Sequence, residues 1–439
     1  MKYIINYSFK FNKTSAVFYA KSSVPKEVES YRFFIYYGNM NYENLEMPAK
    51  GDRVVVGMSG GVDSTMTALL LKEKGCIVTG VTMALWKEGE LDFPENAVFH
   101  DSCYGPGEKL DIEECRKFCA EHDIPYHVLD VSAEYKVQVL DYFKSEYRSG
   151  RTPNPCIRCN RFIKFGALLA GIKSLGIEYD YFCTGHYATV VRGSEGIASQ
   201  YGENAVQNEN ASKRPAQIAV AMDTTKDQAY FLYRIPSDVL EKVRFPLGTY
   251  TKKQVFQMAG ERNLEAAKRE ESQDFIPPEM LDALFSDRPS VPGDIIDMDG
   301  KVLGRHRGIE HYTIGQRRGL GVSAKEPLYV AAIDKEKNLV VLGKDSDLFC
   351  TGLIADDLVW PADYNPECSF RAMVKIRLAS RAVGATIEPY EACEGEVLCG
   401  KAVKVVFDEP QRAVAPGQSV VFYRDGITSG GGIILRAIK

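Results

Sequence analysis

Residues 54–64, Val54-Val55-Val56-Gly57-Met58-Ser59-Gly60-Gly61-Val62-Asp63-Ser64, constrain the fold more than any other stretch. Three consecutive valines read as a buried strand. A Gly/Ser turn follows, and residues 65–74 read as a helix stopped by Gly75. Glycines let the backbone approach a ligand closely. A helix N-terminus presents unpaired N–H groups and a partial positive charge, so strand, turn and helix together form a phosphate cradle. No Gly-Lys-Ser/Thr closes the turn, so it is not a Walker A loop, and it lacks the G-x-G-x-x-G spacing. Asp63 at the helix start serves either as a cap or as a contact for a magnesium–pyrophosphate unit.

Downstream the pattern alternates. Residues 77–85 read as a strand, 112–122 as an amphipathic helix, 125–130 as a strand, 134–148 and 162–176 as helices, and 181–186 as a strand with a turn at its end. Such alternation predicts an α/β fold with a parallel sheet covered on both faces. Ligands sit at the carboxyl ends of such strands, so the loops after Val56, Ala84 and Cys183 should share one crevice. A polar stretch within 192–217 predicts a hairpin with a long mobile tip, and a helical pattern returns from Lys226 to about Phe285. After Pro292, short β-type runs alternate with Gly, Asp and Pro turns, as in small barrels. The 439 residues exceed one core. The expected division is an extension (1–48), a catalytic domain (49–230), a helical segment completing it (231–288), a central β-rich domain (289–348) and a C-terminal β-barrel (349–439).

A net charge of −5 gives no global attraction to nucleic acid, so any such surface must be a local basic patch, for which Arg305, Arg307, Arg317 and Arg318 are candidates. No apolar run of about eighteen residues exists, so no membrane span or membrane partner is expected. Eleven scattered cysteines without a signal peptide point to the cytoplasm and to reduced thiols. Residues 1–48 show no periodicity, and Met47-Pro-Ala-Lys-Gly-Asp-Arg looks like a natural start, so the extension is expected to be dispensable or a misassigned start.

The second chemical segment is Arg151-Thr-Pro-Asn154-Pro155-Cys156-Ile-Arg158-Cys159-Asn-Arg161-Phe-Ile-Lys164-Phe-Gly. Two prolines hold an extended loop before a helix. Cys159, near the helix N-terminus with Arg158, Arg161 and Lys164 close in sequence, is expected to have a lowered thiol pKa and to act as nucleophile or sulfur carrier. Cys-x-x-Cys alone also fits half a zinc site, a redox pair, iron–sulfur ligands or incidental thiols. No second ligand pair at zinc spacing is present, and no metal is assigned.

Taken in order, several segments resemble the tRNA-specific 2-thiouridylases, PP-loop ATP pyrophosphatases that replace the 2-oxygen of the tRNA wobble uridine with sulfur. They are Ser59-Gly-Gly-Val-Asp-Ser64, the 154–166 segment, Thr184-Gly-His-Tyr-Ala, Lys226-Asp-Gln-Ala-Tyr-Phe-Leu, Glu271-Ser-Gln-Asp-Phe-Ile, Gly304-Arg-His-Arg-Gly, His311-Tyr-Thr-Ile-Gly-Gln-Arg-Arg-Gly-Leu-Gly and Ala415-Pro-Gly-Gln-Ser-Val-Val-Phe-Tyr. The resemblance implies an adenine-nucleotide α-hydrolase-like sheet domain followed by β-rich modules. It implies ATP and Mg2+ as cofactors, with Gly57, Met58, Ser59, Gly60, Gly61, Val62, Asp63 and Ser64 around the phosphates, and Met83 and Gly185 near the adenosine. Asn154, Pro155 and Cys156 would face the flipped-out target base, with Cys159 as the nucleophile. His186, Lys226, Asp227, Gln228 and Gln418 would contact tRNA. A persulfide donor, a cysteine desulfurase or relay protein, would supply sulfur.

Two departures stand out. Many members carry a second sulfur-handling cysteine just after the Glu-Ser, whereas here Glu271-Ser272-Gln273-Asp274-Phe275-Ile276-Pro277-Pro278 has none, and Cys156 stands where Asp is common. Either Cys156 and Cys159 do both jobs, ending as a disulfide, or they join a third thiol such as Cys103 or Cys183 around an iron–sulfur cluster. Leu378-Ala379 replaces a Tyr-Arg pair that touches tRNA, and the contact is expected to shift to Arg377 or Arg381. Another PP-loop adenylating synthetase, an amidotransferase or a different tRNA thiolase is the rival reading.

Overall fold

The computed structural model describes residues 42, 45–87, 89, 103–192, 215–268, 275–276, 281–361, 366–393 and 395–439. The expected hairpin tip (193–214), most of the extension, and Glu271–Asp274 lie outside the described residues.

Strands β1 (Arg53–Gly57), β2 (Ile77–Ala84), β3 (Tyr126–Asp130), β4 (Tyr181–Thr184) and β7 (Val243–Arg244) form one sheet in the order β3-β2-β1-β4-β7, parallel throughout. The valines of β1 alternate between two cores. Val55 packs with Phe182, Phe165 and Leu168, while Val54 and Val56 pack with Ala68 and Leu71 of α1 (Val62–Glu73). Each valine is at most 1% exposed, and each such burial is worth roughly 1.5–3 kcal/mol. The chain leaves β1 to one side for β2 and β3, then returns to β4 on the other side. In open sheets of this kind ligands bind where the strand order reverses, here beyond the ends of β1 and β4.

Helix α2 (Glu108–Glu121) precedes β3, and helix α3 (132–148) follows it. Helix α4 (155–174) starts at Pro155, seven residues before its sequence pattern becomes regular. Asn154 caps it by accepting the N–H of Ile157 at 3.2 Å, and proline at the first position costs no hydrogen bond. Its middle, Cys159–Ala167, is a π-helical stretch with a kink inside it at Phe165 (φ −102°, ψ 15°). The span 226–285, read as helical, holds short helices, the strand β7 and one longer helix, α5 (Lys252–Glu261).

The β-rich half is as expected. Strands β8 (Gly293–Asp297), β9 (Val302–His306), β10 (Tyr329–Asp334) and β11 (Leu339–Gly343) make a four-stranded sheet. Strands β12 (Phe349–Val359), β13 (Phe370–Lys375), β14 (Val383–Tyr390), β15 (Ala402–Arg412), β16 (Ser419–Arg424) and β17 (Ile427–Ile438) form an antiparallel barrel, closed by pairing β12 with β17. Closure removes the sheet edges. The hairpin β5 (Thr189–Arg192) and β6 (Ala216–Ala219) of the first domain joins β17 through Ala219 and Ile427.

The end of the extension has packing partners. Arg244 is 2% exposed. Its Nη2 lies 2.8 Å from a carboxylate oxygen of Glu46, whose other oxygen accepts Tyr181 OH at 2.9 Å. Tyr42 OH donates to Ala221 O at 3.2 Å.

Candidate active site

The glycine-rich turn folds on itself: Ser64 Oγ takes the Ser59 N–H (3.1 Å) and donates to Gly61 O (3.1 Å). Gly60 has φ +77°, which glycine adopts without strain. No side chain caps α1 at Gly61, so the helix end is left to a ligand. The turn after β4 lies directly against it. A Cβ on Gly185 would sit 2.7 to 2.9 Å from Asp63 and Ser64, so only glycine fits. The turn carrying Gly60 and Gly61 and the turn carrying Gly185 thus pack against each other. Met83 lies at the end of β2, where Glu108 holds the next turn by accepting the N–H groups of Leu85 (2.7 Å) and Trp86 (3.0 Å). Burial pushes the Glu108 carboxyl up to about 7, against those two hydrogen bonds.

Asp63 is fully engaged. Its oxygens lie 2.8 Å from the Lys252 ammonium, and Tyr187 OH donates to one of them at 2.9 Å. Lys252 is 7% exposed and opens α5, with Thr251 as its cap. A magnesium ion on Asp63 would compete with this ammonium for the carboxylate. Lys252 escaped the sequence reading because 189 residues separate it from Asp63. The Thr251/Gln254 capping box was its only local signal.

The thiols correct the sequence expectation. Cys156 lies in the first turn of α4 and Cys159 one turn further on, past the helix start. Burial pushes Cys156 up to about 12 and Cys159 up to about 11, with Lys164 pulling both down by less. The neighbouring arginines do not help. Arg158 donates to Gln138 O and Oε1, both at 3.1 Å, and its guanidinium stacks 4.3 Å from Tyr142 and 4.5 Å from Phe162. Arg161 also lies over Phe162. Cys103 lies within electrostatic reach of Cys156, Cys159 and Lys164. Cys183 does not join them, being buried in β4 among Val54 and Val56. Among the described residues no three His, Cys, Asp or Glu side chains converge as ligands of one metal ion.

Lys164 joins the two halves of the site. Its Nζ lies 3.5 Å from Nε2 of His186, and His186 Nδ1 lies 2.7 Å from Thr184 Oγ1. Lysine can only donate, so Nε2 accepts and Nδ1 carries the proton. Burial, then the charge of Lys164, hold His186 well below its ordinary range, which keeps it neutral.

The remaining expected tRNA residues divide. Lys226 is exposed. Asp227 turns inward, accepting the Ala221 N–H at 3.0 Å, and burial pushes it up to about 6. Gln228 Oε1 accepts the Tyr187 N–H at 2.9 Å and so braces the Asp63 neighbourhood. Arg377 is half-buried beside Arg412. Gln418 Nε2 donates to the carbonyls of Thr152 (3.1 Å) and Pro153 (3.0 Å). Asn154, as helix cap, faces the same loop. Arg317 and Arg318 are exposed, and Arg305 and Arg307 form only exposed pairs with Asp294 and Asp282.

A glycine-rich phosphate loop at a strand-order reversal, followed by two β modules, defines a nucleotide-dependent enzyme of the PP-loop class. Family models agree along the chain: a tRNA methyl transferase HUP domain matches residues 52–277, a tRNA methyl transferase PRC-barrel domain 282–344, and an aminomethyltransferase beta-barrel domain 350–434. The tRNA-specific 2-thiouridylase MnmA of Endomicrobium trichonymphae is 42% identical over 385 residues, covering 87% of this chain and 99% of that protein. Its namesake in Roseiflexus is 41% identical, covering 88% and 99%, and that of Carboxydothermus hydrogenoformans 42% identical, covering 87% and 97%. The chain belongs to the tRNA-specific 2-thiouridylase family. The solved U34-tRNA thiolase NcsA of Methanococcus maripaludis, which carries a 4Fe–4S cluster, is 15% identical with a TM-score of 0.28, covering 60% of this chain and 76% of that one. That likeness is too low to transfer its cluster.

Proposed function

We propose that this chain performs ATP-dependent 2-thiolation of the wobble uridine of tRNA. A uracil carbonyl oxygen is a poor leaving group. Attack of that oxygen on the α-phosphorus of ATP makes it an adenylate and expels pyrophosphate, for which the uncapped start of α1 and residues 57–64 supply N–H donors. Asp63 would hold Mg2+, with Lys252 released from it toward the phosphates. Met83 and Gly185 would border the adenosine.

Sulfur transfer then uses the thiol pair. A persulfide on Cys159, loaded by an external persulfide donor, attacks C2 through its terminal sulfur, and AMP leaves. Cys156 attacks the Cys159 sulfur, breaking the S–S bond. Sulfur remains on C2 and a Cys156–Cys159 disulfide forms, to be reduced by an external thiol. The pair supplies both sulfur functions without a cysteine near Asp274. Asn154 and Pro155 would line the base, and Lys226, Arg377, Arg317 and Arg318 are the groups offered to RNA, while His186 would reach it only on giving up Lys164 or Thr184. The rival, Cys156 and Cys159 joined by Cys103 around an iron–sulfur cluster, is tested by an iron count on anaerobically purified protein.

The observation that carries this reading is the Lys164–His186 contact. It joins the thiol helix to the turn whose Gly185 packs on the glycine-rich turn, which supports a reading in which nucleotide and sulfur chemistry act side by side. Unmodified tRNA incubated with ATP and a persulfide donor should yield 2-thiouridine by nucleoside mass spectrometry. Omitting ATP, or substituting Cys159→Ala, should abolish it. No 2-thiouridine from the wild-type protein, or full activity in Cys159→Ala, refutes the assignment.

A further inference from the structure

The turn 416–419 of the C-terminal barrel grips the loop that carries the thiols. Thr152 N–H donates to Pro416 O at 2.7 Å. Gly417, at φ +91°, lies so close that a Cβ there would be 2.9 Å from both the N and the O of Thr152. Gln418 donates its amide to the carbonyls of Thr152 and Pro153, both buried residues. On the other side, Tyr230 OH donates to Ser419 O (2.9 Å) and Tyr233 OH to Ser419 Oγ (3.0 Å). The Tyr230 helix is itself tied to α4, since Asn160 Nδ2 donates to Phe231 O at 3.2 Å.

We propose that this turn is a positioning element for the reactive loop, and that Gln418 acts on the thiols through the backbone of Thr152 and Pro153 before RNA arrives. Residues 151–154 are the stretch leading into Pro155, Cys156 and Cys159. Two prolines keep them extended, so few backbone hydrogen bonds within the loop can fix them. The barrel supplies those bonds instead. Gly417 permits the approach, and Gln418 gives the carbonyls of Thr152 and Pro153 a donor from the barrel. The barrel thereby sets where the thiols stand before any substrate arrives. The proposal rests on the thiolation reading for its effect on turnover but not for its effect on the loop.

The test compares Gln418→Met, which keeps length and loses the donor, and Gly417→Ala with the wild-type protein. Alkylation of Cys156 and Cys159 by iodoacetamide is followed by peptide mass spectrometry without tRNA or ATP, alongside affinity for unmodified tRNA and steady-state thiolation. Loss of the clasp should accelerate alkylation roughly tenfold as the loop opens more often. It should also lower kcat. Unchanged alkylation overturns the proposal, and if tRNA affinity falls at the same time Gln418 is an RNA contact. Should Gly417→Ala not fold, Gln418→Met decides alone. The alkylation readout is indifferent to the reaction, so failure of the thiolation reading would leave it standing.

Discussion

Raising the pH should expose the cost of burying the reactive thiols. The nucleophile in alkylation is the thiolate, so the rate tracks its fraction. An unperturbed thiol with the ordinary pKa of 9.0 is about one-tenth ionised at pH 8. Cys159, pushed up to about 11, is ionised to about one part in a thousand. Alkylation of Cys159 in the resting protein should therefore be about a hundredfold slower at pH 8 than that of an ordinary exposed thiol, and should climb tenfold per pH unit toward pH 11. Substituting Lys164→Met removes the charge that opposes burial. The pKa then rises further, and the rate at any pH below it falls. The assay is pseudo-first-order labelling with iodoacetamide between pH 7 and 11, quantified on the Cys159 peptide. A rate that levels off by pH 9, or a faster rate in Lys164→Met, refutes the account and restores the cationic activation that the sequence had indicated.

Two further outcomes follow from the geometry. Gly185→Ala should fold but force the β4 turn off the start of α1, with a roughly hundredfold loss of tRNA-dependent pyrophosphate release; wild-type release would refute the tight approach. Removing residues 1–46 strips buried Arg244 of the Glu46 carboxylate, and since that carboxylate is half-exposed the expected loss is about 1–2 kcal/mol in urea unfolding. Burial alone would raise the Glu46 pKa, but Tyr181 and Arg244 overcome it and hold the group below its ordinary 4.5. The contribution is therefore full above pH 4.5 and fades as pH falls through the lower folded value. An unchanged midpoint at pH 7 would make the extension dispensable after all.

The phosphate loop was legible because it is local. Valines, glycines and a helix start follow one another, and each residue type has one structural use there. The alternation that predicts a parallel sheet was legible for the same reason. Strand β7 was not, because two residues inside a helical-looking span carry no periodicity. The thiol pKa was misread because proximity in sequence stood in for proximity in space. Arg158 and Arg161 lie over aromatic rings, whereas Lys164 reaches His186 and pulls on both thiols. Asp227 and Gln418 matched RNA-facing positions, yet Asp227 turns one oxygen to the N–H groups of Ala221 and Ala229, and Gln418 gives its amide to carbonyls 265 and 266 residues away in the chain. The Lys252–Asp63 pair was invisible for the same reason.

The π-helical stretch in α4 has an evolutionary consequence. A π turn is in effect an α-helix that has accepted one extra residue. On its far side, Leu168 and Ile172 are wholly buried against the sheet. On its near side stand Cys156 and Cys159. Because the bulge absorbs that extra residue, the two sides keep the phase of an unbroken α-helix. A further residue inserted on the thiol side and wound as ordinary α-helix would turn that side by about 100° against the packed one. The buried contacts of Leu168 and Ile172 would hold while the thiols changed face, so packing tolerates there a shift that the chemistry does not.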